Sequence, residues 1–194
     1  MPGQPEAAQT RQRLALDLAE RLWLASKLKV LSPRRTFSMN DAVDVALFLT
    51  DRLFKGAGVR VRPEPDPGIP DVDADMGQVE QALVNVLVNA CEATASGGTV
   101  TVATRYVPSD ETVEVVIEDT GEGIPEEALE RVFEPFYSTR GHIGVGLTTA
   151  RELMSRFAGQ VRLESAVGSG TKAFLRLPAA RASEGGSEHG ETKS

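Results

Sequence analysis

The segment EDTGEGIP, residues 118–125, contains an acidic side chain and two glycines whose spacing could serve nucleotide recognition. Alternating apolar residues at 113–117 predict a half-buried strand that ends at Asp119. A carboxylate at a strand end can accept a hydrogen bond from the exocyclic amine of adenine. Gly121 and Gly123 have no Cβ, so a flat base could lie against the backbone there. Taken alone, however, this pattern is more often a simple turn.

A second group of candidate residues lies on the predicted helix at residues 76–94. One side of this helix is apolar, and a narrow polar stripe follows the other: Gln78, Gln81, Asn85, Asn89 and Glu92. Asparagine is a poor helix former, and amides on a largely buried helix need a partner or a ligand. Side-chain carbonyl oxygens suit Mg²⁺, so Asn85 and Asn89 are candidate metal ligands. The alternative is an amide pair that is satisfied within the core.

Two further segments could approach phosphates. Gly144 and Gly146 lead into a predicted helix, whose free N–H groups and dipole favour phosphate oxygens, although packing glycines would give the same pattern. Before them, VFEPFYSTRGH reads as an apolar anchor, Phe133 and Phe136, followed by a polar segment. This arrangement is typical of a hinged lid. Arg140 and His142 lie in it and could reach a phosphate.

The elements that must position these residues follow from periodicity and turn signals. Helices are predicted at residues 7–31, 38–54, 76–94 and 146–157, with Ser38 and Asp41 capping the second, and Pro125 is predicted to begin a short helix. Strands are predicted at 59–61, 99–106, 112–119, 161–165 and 171–177. We expect residues 63–73 to form a surface loop and residues from 182 onward a disordered tail.

Composition limits the function classes. The 194 residues have a net charge of −7, which argues against a nucleic-acid partner. No basic amphipathic segment, transmembrane run or signal peptide is visible, so we expect a cytoplasmic protein without membrane contact. The single cysteine, Cys91, cannot form an internal disulfide and is predicted to be a small core residue.

Taken in order, these motifs resemble those of the GHKL ATPases, specifically the catalytic ATP-binding domain of bacterial sensor histidine kinases. Asn85 and Asn89 match the N box, and the residues around Asp119 match the first glycine box. The F box, the second glycine box and the last glycine box are matched by Phe133 to Phe136, by Gly144 and Gly146, and by Gly168 to Thr171. The resemblance covers residues 38–178. His142 stands where the family's lid commonly has its first glycine.

The resemblance implies an α/β (α+β) fold, a two-layer Bergerat-type sandwich of helices on a mixed sheet, with ATP and Mg²⁺ as cofactors. Asp119 would hold the adenine amine, with Ala93 and Ile124 against the ring, and Asn89 with Asn85 would coordinate Mg²⁺. Arg140 would meet the γ-phosphate, so Asn85 and Arg140 are the implied catalytic residues. The full set implied to contact the nucleotide is Asn85, Asn89, Ala93, Asp119, Gly121, Gly123, Ile124, Phe136, Thr139, Arg140, Gly144, Val145, Gly146, Leu147 and Thr171.

One residue discriminates among branches of the superfamily. Other branches usually carry a glutamate general base four residues before the Mg²⁺ asparagine. Here that position is Asn85, and an amide cannot accept a proton from the attacking group. Transfer to an imidazole, whose neutral nitrogen is already nucleophilic, suits this site best. The alternatives are an ATP-dependent switch that binds a partner through Trp23, or an anti-sigma-type serine kinase with Glu92 as a substitute base.

The domain organisation follows from the same resemblance. Residues 1–35 resemble the second helix of a dimerisation hairpin, 36–179 the catalytic domain, and 180–194 the tail. The chain's histidines are His142 and His189, and neither is predicted to lie on a helix. We therefore expect the acceptor histidine on another domain or a partner protein, with a response regulator downstream. The apolar first helix also suggests a possible homodimer.

Overall fold

The computed structural model describes residues 33–137 and 144–180, where a layer of helices packs on a mixed sheet. The helices are α1 (Met39–Ala57), α2 (Met76–Ala93) and α3 (Gly146–Ser155). The strands are β1 (Arg35–Phe37), β2 (Arg60–Glu64), β3 (Val72–Ala74), β4 (Thr99–Val107), β5 (Thr112–Asp119), β6 (Gln160–Ser165) and β7 (Thr171–Pro178). Two short 3-10 helices, Glu126–Ala128 and Arg131–Phe133, precede α3.

The main sheet has five strands in the order β2-β4-β5-β7-β6. The β2–β4 pair is parallel and the other three pairs are antiparallel, so the sheet is mixed. Along β5, Val113, Val115 and Ile117 are buried under the helices, as the alternation predicts. The predicted two-layer α/β fold is confirmed. The predicted helix at 7–31 and the tail lie outside the described residues.

Helix α2 forms where its pattern predicts. Asp75 caps its start by accepting a hydrogen bond from the N–H of Gln78 at 3.3 Å. Its apolar side is buried in the core, and all five residues of the polar stripe are half-buried. Cys91 is a free, buried core residue, as predicted. The stripe is therefore neither packed into the core nor fully exposed to solvent.

Helix α1 begins as predicted but ends later. The Ser38 hydroxyl accepts a hydrogen bond from the N–H of Asn40, two residues on, rather than from that of Asp41. The helix continues to Ala57 and ends at Gly58, whose left-handed backbone (φ +68°) allows its N–H to bond the last helical carbonyls. The break therefore lies at the second of the two glycines, since Gly56 keeps a helical conformation.

The predicted loop at residues 63–73 is wrong at both of its ends. Strand β2 extends through Pro63 to Glu64, which an edge strand tolerates because its outer N–H groups need no strand partner. Strand β3 pairs antiparallel with β1, which the sequence did not predict. Each of these strands has only three residues, which is too short for a periodic pattern. They form because residues distant in sequence pair, as Phe37 does with Val72.

The remaining differences are small. Pro125 precedes the short 3-10 helix and is not its first residue, and α3 ends at Ser155, two residues before the predicted end. In the described part of the chain, no helix is long and apolar enough to cross a membrane.

Candidate nucleotide-binding site

Asp119 lies at the end of β5 with only 5% of its surface exposed. Its Oδ1 accepts hydrogen bonds from the backbone N–H of Gly121 at 2.8 Å and of Thr171 at 3.3 Å. Both donors are backbone groups, so they fix the orientation of the carboxylate. Asp119 is therefore an oriented hydrogen-bond acceptor at the end of β5.

The loop after Asp119 lies very close to neighbouring backbone. A Cβ at Gly121 would lie 2.4 Å from the carbonyl oxygen of Ala93, the last residue of α2. At Gly123, where φ is +74°, a Cβ would lie 2.0 Å from the carbonyl oxygen of Ala166. Both positions thus require glycine, and the loop is wedged between the end of α2 and the β6–β7 turn.

Hydrogen bonds hold this loop in place from both sides. The N–H of Glu122 donates to the Ala93 carbonyl at 3.3 Å, and the N–H of Gly168 donates to the Glu122 carbonyl at 2.7 Å. The N–H of Ile124 donates to the hydroxyl of Ser165 at 2.8 Å. These hydrogen bonds bring together three residues that the resemblance placed around one base, namely Ala93, Asp119 and Ile124.

The polar stripe of α2 separates into two parts. Gln78 belongs to a protein network: its Nε2 donates to Asp75 at 2.9 Å and its Oε1 accepts from Arg156 at 2.8 Å. Asn85 and Asn89 lie further along the stripe, and within the described residues neither side chain makes a hydrogen bond. The structure thus distinguishes amides that the protein satisfies from amides that suit a ligand.

Asn89 lies against the start of α3. A Cβ on Gly146 would lie 3.4 Å from the Asn89 Nδ2 and 3.6 Å from its Oδ1, so the glycine leaves room above the amide. Among the residues that the structure describes, no side chain caps this end of α3, where Val145 is the N-cap residue. Its first N–H groups therefore remain for other acceptors, and the helix dipole favours an anion there.

The segment between the two glycine elements is anchored by one phenylalanine, not two. Phe133 is 8% exposed, and its carbonyl accepts from Thr148 at 3.0 Å and from Arg151 at 3.2 Å. Phe136 was predicted to share this anchoring, but it is 77% exposed. Its left-handed backbone (φ +66°) brings its N–H to the Gly144 carbonyl at 3.0 Å and leaves the ring at the surface. Thr139, Arg140 and His142 lie outside the described residues.

The residues present fit a Mg²⁺-nucleotide. One region between the helices and the sheet is bordered by the carboxylate, the glycine loop, two amides to which no described residue is hydrogen-bonded, and a helix start that no described side chain caps. These groups could serve respectively as an acceptor for a base amine, a surface for a flat ring, hard oxygen ligands for the metal, and N–H donors to phosphate oxygens. The sequence analysis did not single out Ser165, which lies opposite Thr171 in the β6–β7 pair and borders the same region. The register of that hairpin is the signal that would have identified it.

Comparison with known proteins agrees with this geometry. Residues 74–181 match the family model described as histidine kinase-, DNA gyrase B-, and HSP90-like ATPase. The sensor kinase CckA of Brucella abortus is 30% identical, and the match covers 91% of this chain and 20% of the relative. The histidine protein kinase DivJ of Caulobacter vibrioides is 35% identical over 75% of this chain and 25% of its own length. The chain thus spans about a fifth to a quarter of these relatives.

A solved structure gives the same fold. The catalytic domain of the histidine kinase ThkA, in a nucleotide-free form, is 25% identical and superposes with a TM-score of 0.68. The match covers 76% of this chain and 97% of that domain. The resemblance inferred from the motifs is therefore confirmed, and the chain belongs to the family of histidine kinase-, DNA gyrase B- and HSP90-like ATPases.

Proposed function

We propose that this chain is the Mg²⁺-ATP-binding catalytic part of a two-component histidine kinase, which transfers the γ-phosphoryl group to a histidine on another domain or protein. The observation that carries the proposal is the position of Asn89. Its amide lies beside Gly146 at the uncapped start of α3, where an oxygen ligand for Mg²⁺ and N–H donors for phosphate would act on one group. Phosphoryl transfer depends mainly on such positioning and charge stabilisation.

In this proposal the base binds at one end of the site and the phosphates at the other. Asp119 accepts from the adenine amine, with Thr171 beside it, while Ala93, Gly121, Gly123 and Ile124 border the ring. The proposed phosphate contacts are Gly144, Val145, Gly146 and Leu147 at the start of α3, together with Phe136, Thr139 and Arg140 before it. Asn89 and Asn85 hold Mg²⁺, which when bound neutralises charge on the phosphate oxygens.

The choice of a histidine acceptor rests on Asn85. The side chain is half-buried on the α2 stripe one turn before Asn89, in the position where a general base would act on the nucleophile. An amide positions but does not take up a proton. A neutral imidazole needs no deprotonation before attack, whereas water or a serine hydroxyl does. The same residue therefore disfavours a serine kinase.

We extend this proposal from the chain to the whole protein. Because the chain spans only part of its curated relatives, the acceptor histidine, a dimerising helical hairpin and a response regulator are proposed as partners from two-component signalling. We propose residues 36–179 as the catalytic domain, residues 1–35 as a dimerising segment that forms a homodimer, and 180–194 as a tail. We also propose that phosphoryl transfer takes place in the cytoplasm.

The proposal is tested with γ-labelled Mg²⁺-ATP, incubated with the chain alone and with host lysate. We expect acid-labile label on a second protein, lost in Asn89→Ala. Gln78→Ala is the matched control, because it removes an amide of the same stripe that Asp75 and Arg156 already satisfy, and it should keep the label. Acid-stable label would support a serine kinase instead. Tight ATP binding without any label would support an ATP-dependent switch.

A further inference from the structure

Ser165 lies in a row of three side chains that runs across the end of the sheet. Asp119 on β5 pairs with Thr171 on β7, and Thr171 pairs with Ser165 on β6. Residues directly opposite one another in antiparallel strands share a face. This face is the one whose neighbouring residues, Ile117 and Ala173, are buried under the helices. Ser165 therefore lies on the same face as the proposed base site, one strand beyond Thr171.

The hydroxyl of Ser165 has its full set of hydrogen bonds, and this determines their directions. A serine hydroxyl can donate once and accept twice. Ser165 donates to the Gly170 carbonyl at 2.7 Å and accepts from the N–H of Ile124 at 2.8 Å. The Thr171 hydroxyl oxygen is 2.9 Å away. Since the Ser165 proton is already used, the Thr171 hydroxyl must be the donor in this contact.

The direction of that bond sets what Thr171 offers to a base. With its proton directed to Ser165, the Thr171 oxygen can offer only lone pairs elsewhere. The Asp119 carboxylate, to which the N–H of Thr171 donates, is a second hydrogen-bond acceptor beside the Thr171 oxygen. Two neighbouring acceptors match the exocyclic amine of adenine, which donates. They repel the carbonyl oxygen that guanine carries at the same ring position, because that oxygen accepts.

We propose that Ser165 is a positioning residue that makes the base site prefer adenine over guanine, by directing the Thr171 proton away from the base and tethering Ile124. This inference rests on the proposed ATP site and adds base selectivity to it. Without the Ser165 hydroxyl, the Thr171 hydroxyl can rotate and donate towards a guanine carbonyl. Selectivity for a purine would thus depend on a residue that does not itself touch it.

The test is the ratio of ATP to GTP affinity, measured by titration calorimetry with Mg²⁺. In Ser165→Ala we expect this ratio to fall about tenfold, the effect of roughly one hydrogen bond gained or lost. Ser165→Thr keeps a hydroxyl and should retain the wild-type ratio. Ser169→Ala is the matched control: it removes an exposed hydroxyl from the same turn and should also keep the ratio.

The outcomes separate this inference from simpler effects. A Ser165→Ala protein that loses affinity for ATP and GTP equally would show that the hydroxyl only supports the fold, and would overturn the inference. If Ser165→Ala fails to fold, the nearly isosteric Ser165→Cys, a weaker hydrogen-bonding group, gives the same comparison. A folded wild type that binds neither nucleotide would instead overturn the proposed function, and the inference with it.

Discussion

Strand β5 carries two buried carboxylates that are held in different ways. Glu114 is fully buried on the outer face of the sheet, where Arg105 and Arg176 from the neighbouring strands both bond its oxygens. Asp119, five residues later on the helix-facing side, is oriented by backbone N–H groups instead. The first carboxylate is bonded by two guanidinium groups, whereas the second accepts from the backbone N–H groups of Gly121 and Thr171.

The difference separates a structural carboxylate from one that can serve a ligand. The hydrogen bond with Glu114 raises the pKa of Arg176, which favours the charged form of this guanidinium. Arg176 also reaches Asp110 at 2.9 Å, which extends the network to the β4–β5 turn. A buried carboxylate is therefore not by itself evidence of a ligand-binding site. The residues that bond the carboxylate distinguish the two cases: arginine side chains for Glu114 and backbone N–H groups for Asp119.

We expect the largest change in stability from Glu114→Gln, which tests the structural role of the first carboxylate. The substitution keeps the shape but removes the charge that both arginines bond, and it should lower the free energy of unfolding by about 3 kcal/mol. ATP affinity of the folded protein should not change. Urea denaturation and calorimetry measure the two quantities.

Glu118→Gln is the control for this charge. Glu118 lies on the same outer face and pairs with Lys172 at 3.2 Å, but both side chains are about half exposed. Its loss should change stability by less than about 1 kcal/mol. An equal loss in the two variants would show that burial of Glu114 contributes nothing.

Asp119→Asn tests the other half of the comparison. An asparagine oxygen can still accept from Gly121 and Thr171, so we expect the free energy of unfolding to change by less than about 1 kcal/mol. ATP affinity should fall about 30-fold, equivalent to about 2 kcal/mol, because the charged acceptor for the base amine is lost. Calorimetric titration with ATP measures this, with Glu118→Gln again as the control. Unchanged ATP affinity would contradict the proposed role of Asp119.

Much of the candidate site could be predicted from the sequence because its parts are local. The glycines after Asp119 and the asparagines of α2 are visible as short patterns, and the structure brings Asn89 to Gly146 as the motif order implies. Ser165 was missed because its contacts depend on strand register rather than on any motif.

The parts of the fold that were missed have similar causes. β1 and β3 stabilise each other only through pairing that is distant in sequence. The surface position of Phe136 follows from a left-handed backbone at a residue other than glycine, and side-chain hydrophobicity does not reveal such a conformation.

Glu80 adds a third carboxylate to the comparison, one for which the described residues supply neither a pair of bonded arginines nor backbone N–H donors. It is half-buried on α2, and burial raises its pKa; nearby Asp75 adds to this shift, while Arg35 opposes it. A raised pKa in the folded state means that stability is greatest when Glu80 is protonated and is lost as the pH rises through that pKa. Glu80→Gln should therefore stabilise the protein at pH 7, by only a few tenths of a kcal/mol because solvent screens a half-exposed group.

The pH dependence distinguishes this effect from a change in helix propensity. At a pH low enough for wild-type Glu80 to be protonated, the gain from Glu80→Gln should vanish. Glu152→Gln, at an exposed position on α3, is the control and should show no such pH-dependent gain. Urea denaturation at both pH values measures the difference. A gain that persists at low pH would mean that the charge of Glu80 is not what opposes folding. In that case a partly buried carboxylate without a strong partner would behave no differently from Glu114 and Asp119, whose partners are described above.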